Sequence, residues 1–151
     1  MEFTVRAIGT VHSSASEKVD ENWGSVESTI ELLPEYRAGL RGLEQFSHAL
    51  VTAYLHGAKF EPARHLVRRP RGQADMPELG IFAQRAKDRP NPLGITVVPI
   101  QRVTAEGLVV RGLDAIDGTA ILDLKPYFPQ FDSASGARVP EWVERLMKGY
   151  F

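Results

Sequence analysis

Apolar residues along this chain fall in short runs, and most runs alternate with polar positions, the two-residue period of strands with one buried face. Phe3-Thr4-Val5-Arg6-Ala7-Ile8 sets Phe3, Val5 and Ala7 on one face and predicts a first strand. Ser28-Thr29-Ile30-Glu31-Leu32 predicts a second, stopped by Pro34. Glu35 to Leu43 reads as a short helix or irregular turn, weakened as a helix by Gly39 and Gly42. Ser47 to His56 is the most continuously apolar run and predicts a buried central strand. Residues 57–79 are polar and contain Pro62, Pro70 and Pro77, a long connection. Gly80 to Arg85 predicts another strand, and Arg89-Pro90-Asn91-Pro92 must be extended or turning, because each proline biases its predecessor out of the helical region.

Ile95–Thr104 and Leu108–Leu113 flank Ala105-Glu106-Gly107, three residues ending in glycine, which is a hairpin signal. Ala120 to Leu124 predicts a last short strand. Only the end of the chain, Pro140 to Tyr150, carries a helical period: Trp142, Leu146 and Tyr150 share a face, and Pro140 suits a first turn. Strands do not alternate regularly with helices. The expected fold is therefore all-β: one domain over residues 1–151, a closed or nearly closed β-barrel with a C-terminal helix at about 140–150.

Composition narrows the chemistry. With 151 residues, 43% hydrophobic and 25% charged, the chain is long enough to close a core. It has no cysteine, which excludes disulfides, thiolate nucleophiles and cysteine-ligated metals. His48 and His56, eight positions apart on one strand, would lie roughly 27 Å apart at about 3.3 Å per residue, too far to share a metal, so no metal is expected. The N-terminus lacks a signal-peptide pattern and no stretch approaches 18 apolar residues, so a cytoplasmic protein without a membrane span is expected. A net charge of −1 means that any nucleic-acid partner must be held locally. Arg64-His65-Leu66-Val67-Arg68-Arg69-Pro70-Arg71 offers such a patch, and Glu17-Lys18-Val19-Asp20-Glu21 is its acidic counterweight.

Dinucleotide, Walker A and Gly-x-Ser-x-Gly patterns are absent. Three other blocks stand out. They are Arg41-Gly42-Leu43-Glu44-Gln45-Phe46-Ser47-His48, then Gly80-Ile81-Phe82-Ala83-Gln84-Arg85 leading to Arg89-Pro90-Asn91-Pro92-Leu93-Gly94, then Gly112-Leu113-Asp114 through Asp117-Gly118-Thr119 to Lys125-Pro126-Tyr127. In this order and spacing, with Ile8-Gly9-Thr10-Val11-His12-Ser13 before them, they resemble the TsaA-like (TrmO-type) family over about residues 5–128. Ser14 and Ala120 stand where many members carry proline.

The resemblance implies a β-barrel methyltransferase that works as a homodimer. S-adenosyl-L-methionine would lie near the subunit interface, and the reaction would be N6-methylation of threonylcarbamoyladenosine beside the tRNA anticodon. By motif position it assigns the cofactor to Ser13, Ser14, Ser47, His48, Arg85, Leu113, Thr119, Ala120, Ile121 and Leu122. Asp123 is the expected proton acceptor, Arg85 the group that orients cofactor or acceptor, and Tyr127 a residue to stack on a base. Backbone groups of Thr119 to Leu122 are expected to meet an adenine edge, and Arg64–Arg71 to meet tRNA phosphates. Methylation of another RNA or a small molecule, and cofactor binding without catalysis, remain open alternatives.

Overall fold

The computed structural model describes residues 1–17 and 19–151; Lys18, within the acidic counterweight, lies outside the described residues. The strands are β1 (Gly9–Ser13), β2 (Glu27–Leu32), β3 (His48–Tyr54), β4 (Val67–Arg68), β5 (Leu79–Gly80), β6 (Leu93–Val103), β7 (Gly107–Arg111) and β8 (Ala120–Pro126). The α-helices are α1 (Pro62–His65), α2 (Pro129–Asp132) and α3 (Glu141–Met147). Six strands close a barrel in the order β1-β2-β7-β6-β3-β8, every neighbouring pair antiparallel. β4 and β5 form a separate two-stranded ribbon.

Alternation builds the core. Val11, Ile30, Leu32, Ala49, Val51, Ala53, Val98, Leu108, Val110 and Ile121 point into the barrel and are buried. A fully buried aliphatic side chain contributes about 1.5–3 kcal/mol, so this layer is the main source of stability. Two extra residues bend the wall: Leu122 between the pairs Thr52↔Asp123 and Ala53↔Ile121, and Gln101 between Ile100↔Val110 and Arg102↔Val109. Such bulges add the local twist that closure needs. Gly107 lets β7 approach β2, because a Cβ there would sit 1.8 Å from the Ile30 carbonyl oxygen.

Three expectations need correction. Residues 3–8 are not a strand; Phe3 and Val5 are 83% and 66% exposed. The Ile8 N–H still reaches the Ile121 carbonyl at 2.8 Å, but Leu122 bulges from β8 there and the pairing stops. Gly80 to Arg85 is not a strand either. After the two residues of β5 the chain turns into a 3-10 helix at Ile81–Ala83, with the Gln84 N–H on the Ile81 carbonyl and the Gln84 side-chain amide on the carbonyls of Arg68 and Leu79. Finally, β3 is central but buried on one face only: Ala49, Val51 and Ala53 are buried, while Leu50 and Thr52 are half-buried and Tyr54 is exposed.

The other expected elements are present. Residues Pro34–Leu40 form a 3-10 helix, β6 and β7 form the hairpin, and the C-terminal helix is shorter than expected, at Glu141–Met147. Among the described residues no helix is long and apolar enough to cross a membrane.

Candidate functional site

The barrel has two ends, and the sequence-predicted residues divide between them. At one end, here the open end, lie the start of β3, the end of β8 and the 3-10 turns Pro34–Leu40 and Leu43–Gln45. Ser47 Oγ and His48 Nδ1 share a 2.8 Å hydrogen bond, the Tyr127 N–H donates to the His48 carbonyl, and the two rings stand 6.2 Å apart. These residues are therefore one cluster.

The far end, here the strapped end, holds Ser13, Ser14, Leu113, Thr119, Ala120 and Ile121. It is tightly tied. The Ser13 N–H donates to Asp117 Oδ1 at 2.9 Å, the Asp117 N–H to the Ala15 carbonyl, and the Gly118 N–H to the Val11 carbonyl. Gly118 has φ 78°, the left-handed conformation that favours glycine, and this lets the turn re-enter β8. Leu113 and Ile121 are buried in the core, and Thr119 is buried with its hydroxyl on the Ile116 carbonyl. The carbonyls of Thr119 and Ile121 accept from Val11 and Ile8, so these backbone groups are already committed to the barrel wall.

The C-terminal tail completes this end. The Tyr150 hydroxyl donates to Asp114 Oδ2 at 2.6 Å, and the Thr96 hydroxyl donates to the other Asp114 oxygen. Burial, then the hydrogen bond and charge of Asp114, push the Tyr150 hydroxyl well above the ordinary tyrosine range. Arg71, itself 3.7 Å from Asp20, lies over the Tyr150 ring at 5.8 Å. In the sequence Asp114 stands within a motif block and Tyr150 on one face of the expected C-terminal helix. Neither type announces a long-range bond before the fold is known.

Between the two ends, on the outer wall, sits the third group. Asp123, Thr52 and Ile95 share one row across β8, β3 and β6. Arg85, exposed, donates to the Ile95 carbonyl at 2.7 Å, and Asp123 is ion-paired with Lys125. Leu122 is the half-buried bulge residue. From His48 to Tyr54, which pairs with Ala120, β3 advances six residues, about 20 Å. One barrel thus keeps the two clusters of sequence-predicted residues well apart.

Two clefts among the described residues bear on the site. A polar trough of about 420 Å³ is lined by Val19, Asp20, Glu21, Arg71, Gln73 and Lys148. An apolar cleft of about 190 Å³ lies at the open end between Tyr36, Gly39, Leu40, Leu43, Leu124 and Pro126, with Asp123 in its lining. Of the residues predicted for cofactor binding or catalysis Asp123 alone lines either cleft, and Arg71 of the arginine run lines the trough. Tyr36 and Gly39 were missed, since a polar turn after Pro34 carries no chemical signal.

The arginine-rich run is folded into α1, β4 and a 3-10 turn, and its side chains are engaged. Arg64 meets Glu61, Arg68 meets Asp88, Arg71 meets Asp20, and Arg69 donates to the Met76 carbonyl. Burial alone would raise the Asp88 carboxyl, but the Lys59 N–H at 2.9 Å and the Lys87 ammonium hold it below its ordinary value.

Comparison with known proteins places these features in a family. The family model described as the tRNA-methyltransferase O N-terminal domain matches residues 17–133. This chain belongs to that family. A protein named "Probable S-adenosyl-L-methionine-binding protein" from Pyrococcus abyssi is 37% identical over 150 residues, 93% of this chain and 76% of the relative. The tRNA (adenine(37)-N6)-methyltransferase of Homo sapiens is 34% identical over 107 residues, 71% of this chain but 23% of the human protein. The crystal structure of TrmO from Pseudomonas aeruginosa superposes with TM-score 0.74 at 34% identity, covering 91% of this chain and 62% of that one. The chain therefore spans under two thirds of the TrmO polypeptide, and the barrel is the shared part.

Proposed function

We propose that this chain is an S-adenosyl-L-methionine-dependent methyltransferase that methylates N6 of an adenine derivative, threonylcarbamoyladenosine, in tRNA. The observation that carries the reading is the family match over residues 17–133, supported by the likeness to a tRNA adenine-N6-methyltransferase and to TrmO. The protein is assigned to the cytoplasm, where tRNA is modified.

The residues suit the cofactor only in part within one chain. Ser47, His48 and Tyr127 offer hydroxyl, imidazole and ring at one end, and Ser13, Ser14 and Ala120 offer two hydroxyls and a methyl group at the other. None of these residues lines either cleft. We therefore assign a homodimer, in which the open end of one copy meets the strapped end of its partner and the cofactor sits between. The outer wall of β6 and β3 supports this pairing. Tyr54, Leu93, Ile95 and Val97 are each more than 40% exposed there, an apolar patch that a second copy would cover.

Bound S-adenosyl-L-methionine would supply an electrophilic methyl group on a sulfonium. The residues of this chain hold the acceptor in line, keep water out and take the proton, and most of the rate gain comes from positioning. With S-adenosyl-L-methionine bound as methyl donor, the Asp123 carboxylate would take the proton that the acceptor N6 gives up on methylation. Arg85 orients a carboxylate of the acceptor or the cofactor, and Tyr127 stacks on a base. The Arg64–Arg71 run reaches tRNA phosphates only by exchanging its present ion pairs, with Arg64 the most exposed of them.

Transfer of a labelled methyl group from S-adenosyl-L-methionine to tRNA, with nucleoside mass spectrometry of the product, tests the reading. N6-methylated threonylcarbamoyladenosine is expected; cofactor binding without transfer to any RNA would refute it. That second outcome would favour a non-catalytic cofactor-binding module, a reading supported by the name of the Pyrococcus relative.

A further inference from the structure

The cleft at the open end is too small for the cofactor and has the wrong lining for it. At about 190 Å³ it is below the roughly 300 Å³ at which pockets for whole drug-sized ligands begin. Its walls are apolar, with Tyr36 as the one aromatic ring and Asp123 as the one carboxylate. It lies where the barrel wall parts: β1 pairs with β8 only at Gly9↔Ile121 and Thr10↔Ala120, and the lining residues Asp123, Leu124 and Pro126 follow the bulge.

Both rims of the cleft run directly into a row of aromatic rings. One turn beyond Leu43 comes Phe46, and two residues beyond Pro126 comes Phe128. Their rings stack at 5.7 Å with an interplanar angle of 20°, and Phe131 continues the row at 6.2 Å. Phe131 is 85% exposed, on α2, and supports no core. A globular protein gains nothing in stability from so exposed a ring, whereas single-stranded nucleic acid binds to such rows by base stacking.

We propose that this end of the barrel is an RNA-reading surface: the cleft receives one extruded purine, and the Phe46–Phe128–Phe131 row stacks a neighbouring base. The inference rests on the methyltransferase reading and adds where the acceptor lies. Size selects one base rather than a nucleoside cofactor, and Tyr36 and the leucines sandwich it as flipped bases are held elsewhere. Asp123 on the lining is then within reach of the exocyclic N–H that must be lost.

Gly39 allows a clean test. A Cβ placed there meets no atom within 4 Å, and its φ is not left-handed, so Gly39→Leu fills the cleft without disturbing the fold. The probe is an anticodon stem-loop RNA carrying threonylcarbamoyladenosine, titrated by fluorescence anisotropy into protein saturated with S-adenosylhomocysteine. Cofactor affinity and thermal midpoint are measured alongside. Gly39→Leu and Phe131→Ala are each expected to weaken RNA binding about tenfold, the effect of one lost stack, with unchanged cofactor affinity and midpoint. Wild-type RNA affinity in both variants would overturn the proposal while leaving methyl transfer by the native protein intact. Loss of cofactor affinity with RNA affinity retained in Gly39→Leu would also overturn it, by giving the cleft to the cofactor. A native protein that transfers no methyl group to RNA would remove both readings together.

Discussion

The two ends of this barrel are built on opposite principles. The strapped end is closed by a chain of specific bonds: Ser13 to Asp117, Asp117 to Ala15, and Tyr150 and Thr96 to the two oxygens of Asp114. The open end is covered by two short 3-10 turns and keeps an apolar cleft where β1 and β8 part. A small barrel thereby divides labour. One end holds the wall and fixes the loop that re-enters β8, and the other leaves room for something to enter.

The largest effect that separates the ends comes from their apolar plugs. Leu113 is 2% exposed within the core, so Leu113→Ala is expected to cost about 2–5 kcal/mol in urea unfolding. Leu43, half-buried over the cleft, should cost only about 1 kcal/mol on the same change. Equal losses would erase the distinction. Next comes the polar strap. Asp114→Ala leaves the Tyr150 and Thr96 hydroxyls without their acceptor and should cost about 2–3 kcal/mol, whereas Tyr150→Phe, which keeps the Thr96 bond, should cost about 1 kcal/mol.

A smaller effect is one of pH. The folded state holds the Tyr150 proton more tightly than the unfolded chain does. This contribution is full below the unfolded value of about 10 and declines as pH rises above it. Unfolding free energy should therefore fall between pH 9 and 11.5 more steeply in the native protein than in Tyr150→Phe. Parallel curves would show that the strap contributes nothing to the alkaline limb. The smallest effect lies outside both ends. Asp88, held below its ordinary value, stabilises above pH 4 and loses that contribution as pH falls through its folded value. Asp88→Asn should flatten the acid limb by less than about 1 kcal/mol.

The barrel was legible in the sequence where alternation and turn chemistry agree. Ser28–Leu32, the hairpin around Ala105-Glu106-Gly107 and the strand from Ala120 all lie within one or two residues of β2, β6–β7 and β8. Misreadings came where tertiary structure overrides a local pattern. Phe3 to Ile8 alternates as a strand should, but the bulge at Leu122 removes its partner. Gly80 to Arg85 is apolar enough for a strand, but Gln84 satisfies the Arg68 and Leu79 carbonyls and the chain turns instead.

The site was less legible than the fold. The motif blocks are contiguous in sequence, yet Ser47 and His48 fall at one end and Leu113 and Thr119 at the other, because antiparallel strands carry neighbouring blocks to opposite rims. No pattern in the chain reveals the cleft, whose walls come from Tyr36, Gly39, Leu124 and Pro126 on unconnected segments.

If the cofactor is held between the open end of one copy and the strapped end of another, two defective variants should complement each other. His48→Ala disables the first, and Ser14→Trp, at an exposed position, blocks the second. Each variant alone should bind no S-adenosyl-L-methionine in calorimetry. Mixed in equal amounts and allowed to exchange subunits, they should regain about a quarter of the native sites, because half of the dimers are mixed and each mixed dimer holds one intact pair of ends. Silence at every mixing ratio, in a sample shown by native mass spectrometry to contain mixed dimers, would contradict the account.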